Sequence, residues 1–163
     1  MSARNSEETI RRATDADLEA MLDLSEARRS RYAGYHPRFH KPAAHARDAQ
    51  RPFFSKLISA ENFIVLVHQS DRRIDGFLTG QLVPPPPVYD PGGLTCVVDD
   101  FALERQDDWP RVGHELLAEL RMRARDRGAV QIVVVSAPED EEKGRMLDKA
   151  GMNVVSEWRV SDV

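Results

Sequence analysis

The chain has 163 residues, 41% hydrophobic and 31% charged, enough apolar material for one domain with a real core. Its net charge of −4 excludes the dense basic footprint of non-specific nucleic-acid binding, and its single cysteine, Cys96, excludes an internal disulfide or a Cys-rich zinc site. No apolar run approaches the roughly 20 residues that span a bilayer.

Residues 1–8 read as a loose polar tail without the apolar core of a secretory signal. With the lone cysteine, this makes the cytoplasm the expected location. Thr9–Ala13 reads as a short strand. Thr14 and Asp17 form a capping-box-like T-x-x-D, which can satisfy orphan N–H groups at a helix start. Leu18, Met21 and Leu22 then fall on one face of a helix. Gly34–Pro42 is loop-like and rich in His, Pro and aromatics, and Ala46–Ser59 resumes helical spacing.

Asn62–His68 and Ile74–Val83 read as two strands joined by the polar turn Ser70–Arg73, hence a hairpin. Pro84–Pro87 cannot sit in a central strand, because proline donates no ladder hydrogen bond. The following Tyr89-Asp90-Pro91-Gly92-Gly93 is a strong turn cluster. Leu94–Leu103 is the next strand. Pro110 lies near the start of a helix over Arg111–Arg127, and Gly128 is its stop. Ala129–Val135 reads as a strand buried on both faces. Pro138 and Glu139–Glu142 open a further helix that ends at Ala150-Gly151, and Val154–Val160 reads as the last strand.

The order is therefore β-α-α-β-β-β-α-β-α-β, an α/β chain with a mixed central sheet and helices on both faces. The helix between Leu94–Leu103 and Ala129–Val135 requires a parallel pair with a right-handed crossover.

Three local patterns lie in this order. Val98-Asp99-Asp100-Phe101-Ala102-Leu103 is an acidic pair followed by apolar residues on a strand. Asp107-Asp108-Trp109-Pro110-Arg111-Val112-Gly113-His114-Glu115-Leu116-Leu117 leads into a helix. Met146-Leu147-Asp148-Lys149-Ala150-Gly151-Met152 ends one. Together they resemble the GNAT (GCN5-related N-acetyltransferase) family over nearly the whole chain: its central strand, its pyrophosphate loop Q/R-x-x-G-x-G/A, and its F-Y-x-x-x-G-F helix ending. The sequence departs from that pattern in the loop, where Arg111 replaces the first glycine. It departs again where Asp140 stands for an asparagine and Leu147 for a tyrosine that often protonates the leaving thiolate.

The resemblance implies a single acyl-CoA N-acyltransferase domain over 1–163, with acetyl-CoA as cosubstrate, no metal, and a small-molecule or amino-acid-like amine as acceptor. Arg111, Val112, Gly113 and His114 stand where a helix N-terminus would hold the pyrophosphate. The backbone of Phe101, Ala102 and Leu103 would pair with the pantetheine arm and stabilise the oxyanion. Asp99 and Asp100 are the candidate bases. Adjacent strand residues point to opposite faces, so at most one serves directly, and a buried Asp that satisfies backbone or Arg groups is the structural alternative. Asp99 aligns with the family's acidic position. Tyr32, Tyr35 and Phe39 belong to a loop expected over the acceptor, and Tyr89 to the proline-rich loop expected beside it. His36, His40 and His45 match no zinc spacing. A homodimer is common in the family, although nothing in the sequence demands one. The alternative function is a GNAT-fold ligand-binding module without catalysis.

Overall fold

In a computed structural model that describes residues 7–163, five strands form one sheet in the order β1-β2-β3-β4-β5. They are β1 (Glu8–Arg12), β2 (Phe63–Ser70), β3 (Arg73–Val83), β4 (Leu94–Leu103) and β5 (Ala129–Val134). The first four make an antiparallel meander, and β5 joins β4 in parallel. The residue 1–8 tail lies, through residue 6, outside the described residues.

Apolar runs on the strands feed both faces of the sheet. Helices α1 (Leu18–Tyr32) and α2 (Ala46–Ser59) cover one face and bury Met21, Leu22, Phe54 and Leu57 against Val65, Val67, Phe77 and Ala102. Helices α3 (His114–Asp126) and α4 (Glu141–Lys149) cover the other, where Leu116, Leu117, Leu120, Met146 and Leu147 meet Leu66, Leu78, Val98 and Phe101. The Thr14–Asp17 capping box forms as the sequence predicts and starts the turn into α1. Gly128 ends α3 with φ +90°, a left-handed conformation that favours glycine. Among the described residues, no helix is long and apolar enough to cross a membrane.

Three expectations are corrected. The helix expected to begin at Arg111 begins earlier. A 3₁₀ turn over Gln106–Asp108 and a π-helical turn over Trp109–Gly113 run straight into α3. Second, Ala129–Val135 is not buried on both faces, since Val130 and Val135 are about half exposed. β5 is the edge of the sheet, and an apolar run alone does not reveal whether a strand has one neighbour or two. Third, Val154–Val160 forms no strand. Its backbone makes no ladder hydrogen bond among the described residues, and Val154, Val155 and Trp158 are exposed.

Candidate active site

The chemistry concentrates where β4 and β5 part. Their ladder ends at Val98 opposite Val134, with one further bond from the Val135 N–H to the Val98 carbonyl at 2.9 Å. Beyond that rung, Asp99 and Asp100 fall at an irregularity in the β3 ladder, Phe101–Leu103 pairs only with β3, and no strand pairs with the β5-facing edge. A fork between parallel strands exposes backbone donors and acceptors that an extended ligand can use.

Six charged or polar side chains gather at this fork: Arg28, Tyr32, Asp99, Asp100, Asp140 and Lys143. Asp100 is buried and accepts from Arg28 Nη2 at 2.6 Å. Asp99 is exposed, and its carbonyl accepts from Arg28 Nη1 at 3.1 Å. Arg28 therefore clamps the end of β4 from α1. Burial pushes the Asp100 carboxyl above its ordinary range, against the pull of Arg28. Tyr32 lies one turn further along α1; its hydroxyl donates to Asp140 Oδ2 at 2.7 Å, and burial together with that carboxylate pushes the phenol up.

Lys143 of α4 completes the group. It is fully buried, donates to the Val135 carbonyl at 3.2 Å, and sits 5.5 Å from the Phe101 ring centre and 5.6 Å from that of Trp109. Since Val135 follows β5 and Phe101 lies on β4, the ammonium bridges the fork just past its last rung. Burial lowers its pKa to about 7, helped by the repulsion of Arg28 and opposed by Asp140, Asp100 and Asp99.

The two catalytic candidates thus divide. Asp100 is the buried partner of an arginine, the structural alternative raised by the sequence. Asp99 keeps a carboxylate in solvent at the mouth of the fork. Phe101, Ala102 and Leu103 are buried along the free stretch of β4. Tyr32 and Tyr35 pack with ring centres 5.0 Å apart, and His40 meets both; Phe39 stacks edge-on to His40 at 4.9 Å and is 53% exposed. Tyr89 does not join them. The 84–93 connection enters β4 at Leu94, so it stands six residues, about 20 Å, from Asp100, at the opposite end of the strand. Tyr89 is largely exposed there.

The start of the α3 run differs from the expected anion cradle. Gly113 has ordinary helical angles, φ −60° and ψ −45°, so it is not required by its backbone. A Cβ built on it would stand 2.5 Å from Cε3 of Trp109, which places the glycine under the indole. The His114 N–H already donates to the carbonyls of Trp109 and Arg111. Val112 is core, and Arg111 pairs with Glu8 at 2.8 Å. Asp107 and Asp108 occupy the true helix start and pair with Arg105.

Sequence reasoning missed Arg28 and Lys143 as site residues. Each carries a signal in retrospect. Arg28 continues the buried face Met21-Leu24-Ser25 of α1, and Lys143 occupies the same face of α4 as Met146 and Leu147. A charge on an apolar stripe must find a partner.

No family model matches the sequence, and no curated protein matches it. Solved structures do. The tetramutant of the BH1408 protein from Bacillus halodurans superposes with a TM-score of 0.82 at 16% identity, over 95% of this chain and 99% of that one. The aminoglycoside N-acetyltransferase AAC(6')-Iy, solved in complex with CoA, gives 0.75 at 14% identity, over 100% and 99%. A predicted acetyltransferase from Clostridium acetobutylicum, solved with acetyl-CoA, gives 0.71 at 16% identity, over 96% of each chain. The fold is that of the GNAT N-acetyltransferases. At these identities the likeness establishes the fold, and the chemistry has to be argued from the residues.

Proposed function

We propose that the chain is an acyl-CoA-dependent N-acyltransferase that acetylates a primary amine on a small-molecule or amino-acid-like acceptor. The observation that carries this reading is the fork itself: a free β4 edge over Asp99–Leu103, with an exposed carboxylate and an aromatic loop at its mouth. The presence of CoA or acetyl-CoA in two structures of the same fold supports it.

The fork fits the acyl-bearing arm of the cosubstrate, whereas the start of the α3 run lacks the glycine-lined cradle that would suit its pyrophosphate. Acetyl-CoA, when bound, supplies an activated thioester. Residues Phe101–Leu103 offer main-chain groups to hold the arm and to polarise the carbonyl. Asp99 holds a cationic amine at the mouth and accepts its proton, directly or through water. Asp100 and Arg28 fix the end of β4 on which Asp99 stands. Tyr32 keeps its proton and lines the acceptor side. Lys143, the one buried amine near the fork, can exchange a proton near neutral pH.

A second reading, a ligand-binding module without catalysis, is favoured by the helix start, where Trp109 fills the space under Gly113 and two aspartates face any phosphate. Thermal unfolding with millimolar acetyl-CoA separates the two. A ligand at about 100 times its Kd adds about 2.7 kcal/mol to the native state. A clear upward shift, followed by acetyl transfer to one of a panel of amines, supports the enzyme. In that assay Asp99→Asn should lower kcat by at least tenfold, and an unchanged rate removes Asp99 as the base. Absence of both shift and turnover leaves the binding module.

A further inference from the structure

Almost all of the chain's basic residues are arginines; its lysines are Lys41, Lys56, Lys143 and Lys149. Lys41, Lys56 and Lys149 are exposed, whereas Lys143 is fully buried at the fork. Lysine and arginine are not interchangeable there. A guanidinium keeps its charge at any pH a protein survives, while an amine can lose its proton and become a nucleophile.

Among the described residues, no carboxylate pairs directly with Lys143. Asp140 accepts from the Tyr32 hydroxyl at 2.7 Å and Asp100 from Arg28 at 2.6 Å, while Asp99 is turned to solvent. These three act on the ammonium through space, and Arg28 repels it. Its hydrogen bond goes to the Val135 carbonyl at 3.2 Å, and the rings of Phe101 and Trp109 wall it in. About half of the amine is therefore neutral at pH 7, against roughly one in 2,500 for an ordinary lysine. This neutral Nζ lies beside Phe101, on the stretch of β4 whose main chain is free to hold an acyl-bearing arm.

We propose that Lys143 is itself an acyl acceptor: a thioester whose arm enters the fork gives its acetyl group to Nζ and leaves the chain modified at that residue. This rests on the reading that the fork takes an acyl thioester. The neutral Nζ forms a C–N bond to the acyl carbon, the C–S bond breaks, and its electron pair leaves on sulfur. The proton that Nζ sheds goes to the thiolate, so the products are acetyl-lysine and a free thiol. The amide suits the site better than the ammonium. It carries no charge to be desolvated, it keeps an N–H for the Val135 carbonyl, and its new carbonyl can accept from the main-chain N–H groups that β4 leaves free. The acetyl group takes the room that the departing arm vacates. An amide does not pass its acyl group on, so this is a single modification of the chain and not a step toward another acceptor.

Incubation of the full chain with acetyl-CoA, followed by intact mass and peptide mapping, tests it. The expected result at pH 7 is one acetyl group per chain, on the peptide that carries Lys143, formed at least about tenfold faster than on Lys41, Lys56 or Lys149. Its rate should level off above about pH 7, whereas modification of the exposed lysines keeps rising about tenfold per unit toward about pH 10. Lys143→Met should lose the label, and mapping of the wild type locates it even if that variant fails to fold. A label spread evenly over the lysines overturns the proposal, as does one that forms on Lys143 at the same rate in urea, since the fold then plays no part. An unfolding temperature that rises with acetyl-CoA while Lys143 stays unmodified also overturns it and leaves the acyl-CoA reading of the fork standing. With neither shift nor label, both fall.

Discussion

Lys143 carries its ammonium where water cannot reach, and its one hydrogen bond in the structure goes to the Val135 carbonyl. Desolvation disfavours the charged form, which is why the group falls from 10.5 to about 7 despite three nearby carboxylates. The folded chain therefore releases a proton that the unfolded chain still binds between about pH 7 and 10.5. In that window stability rises with pH, by at most about 1.4 kcal/mol per unit. The Cys96 thiol, pushed up to about 11 by burial, and the raised Tyr32 phenol act in the opposite sense at higher pH, so the effect is cleanest between pH 7 and 9. Lys143→Met, which keeps the volume without the charge, should flatten the rise of urea midpoint over this range and stabilise the protein at pH 7. An unchanged slope would show that Lys143 reaches water. The same residue shows why part of the site was hidden in the sequence. A lysine on an apolar stripe is most simply read as a stem that snorkels outward, and only the fork above it reveals that it points inward. Arg28 was hidden for the same reason, while Asp99 and Asp100 stood out as an acidic pair inside an apolar strand, although Asp100 takes the ordinary role of a buried partner to an arginine.

At the scale of elements, the order of strands and helices through α4 was legible, since alternation, caps and turn residues are local signals. The start of the α3 run was not. The pattern Trp109-Pro110-Arg111-Val112-Gly113 resembles a phosphate loop in spacing, and its glycine was read accordingly. Tertiary packing decides otherwise, because the Trp109 indole needs a neighbour without a side chain. Gly113 keeps helical angles, so substitution costs nothing in backbone strain, and a slight gain in helix propensity would be expected if space were free. The 2.5 Å approach to the ring removes that freedom. Gly113→Ala should destabilise by about 1–3 kcal/mol, the range for overpacking a core, read as a lower urea midpoint. If the cost lies in the indole contact, Gly113→Ala should lower the midpoint little further in a Trp109→Leu background, whereas a backbone requirement would lower it equally in both backgrounds.

At the scale of the whole molecule, the two helical layers pack independently on the sheet, and the fork is the place where the α3–α4 layer reaches through to the end of α1. Trp109, Phe101 and Lys143 fill that junction, with the two ring centres 4.8 Å apart. Val154–Val160 was misread as a strand for a related reason. Whether an apolar run at 129–135 is a central or an edge strand depends on a neighbour that composition does not name. If an acyl-CoA arm enters the fork, some of the packing there must be exchanged for contacts with the ligand. The observed affinity is then the intrinsic one reduced by the fraction of molecules in which the junction is open. Trp109→Leu weakens the filled state by about 2 kcal/mol, less than the ~3–5 of truncation to alanine. Part of that loss should reappear as tighter binding, each 1.4 kcal/mol of relief corresponding to about tenfold in Kd. Titration calorimetry should therefore find acetyl-CoA bound more tightly by the variant although its unfolding temperature without ligand is lower. Opposite signs of the two changes identify the indole as a competitor for the ligand's space. A joint fall of stability and affinity would instead make the ring part of the binding surface, and the helix start would then have to be read as a cofactor site built from an aromatic wall rather than from glycines.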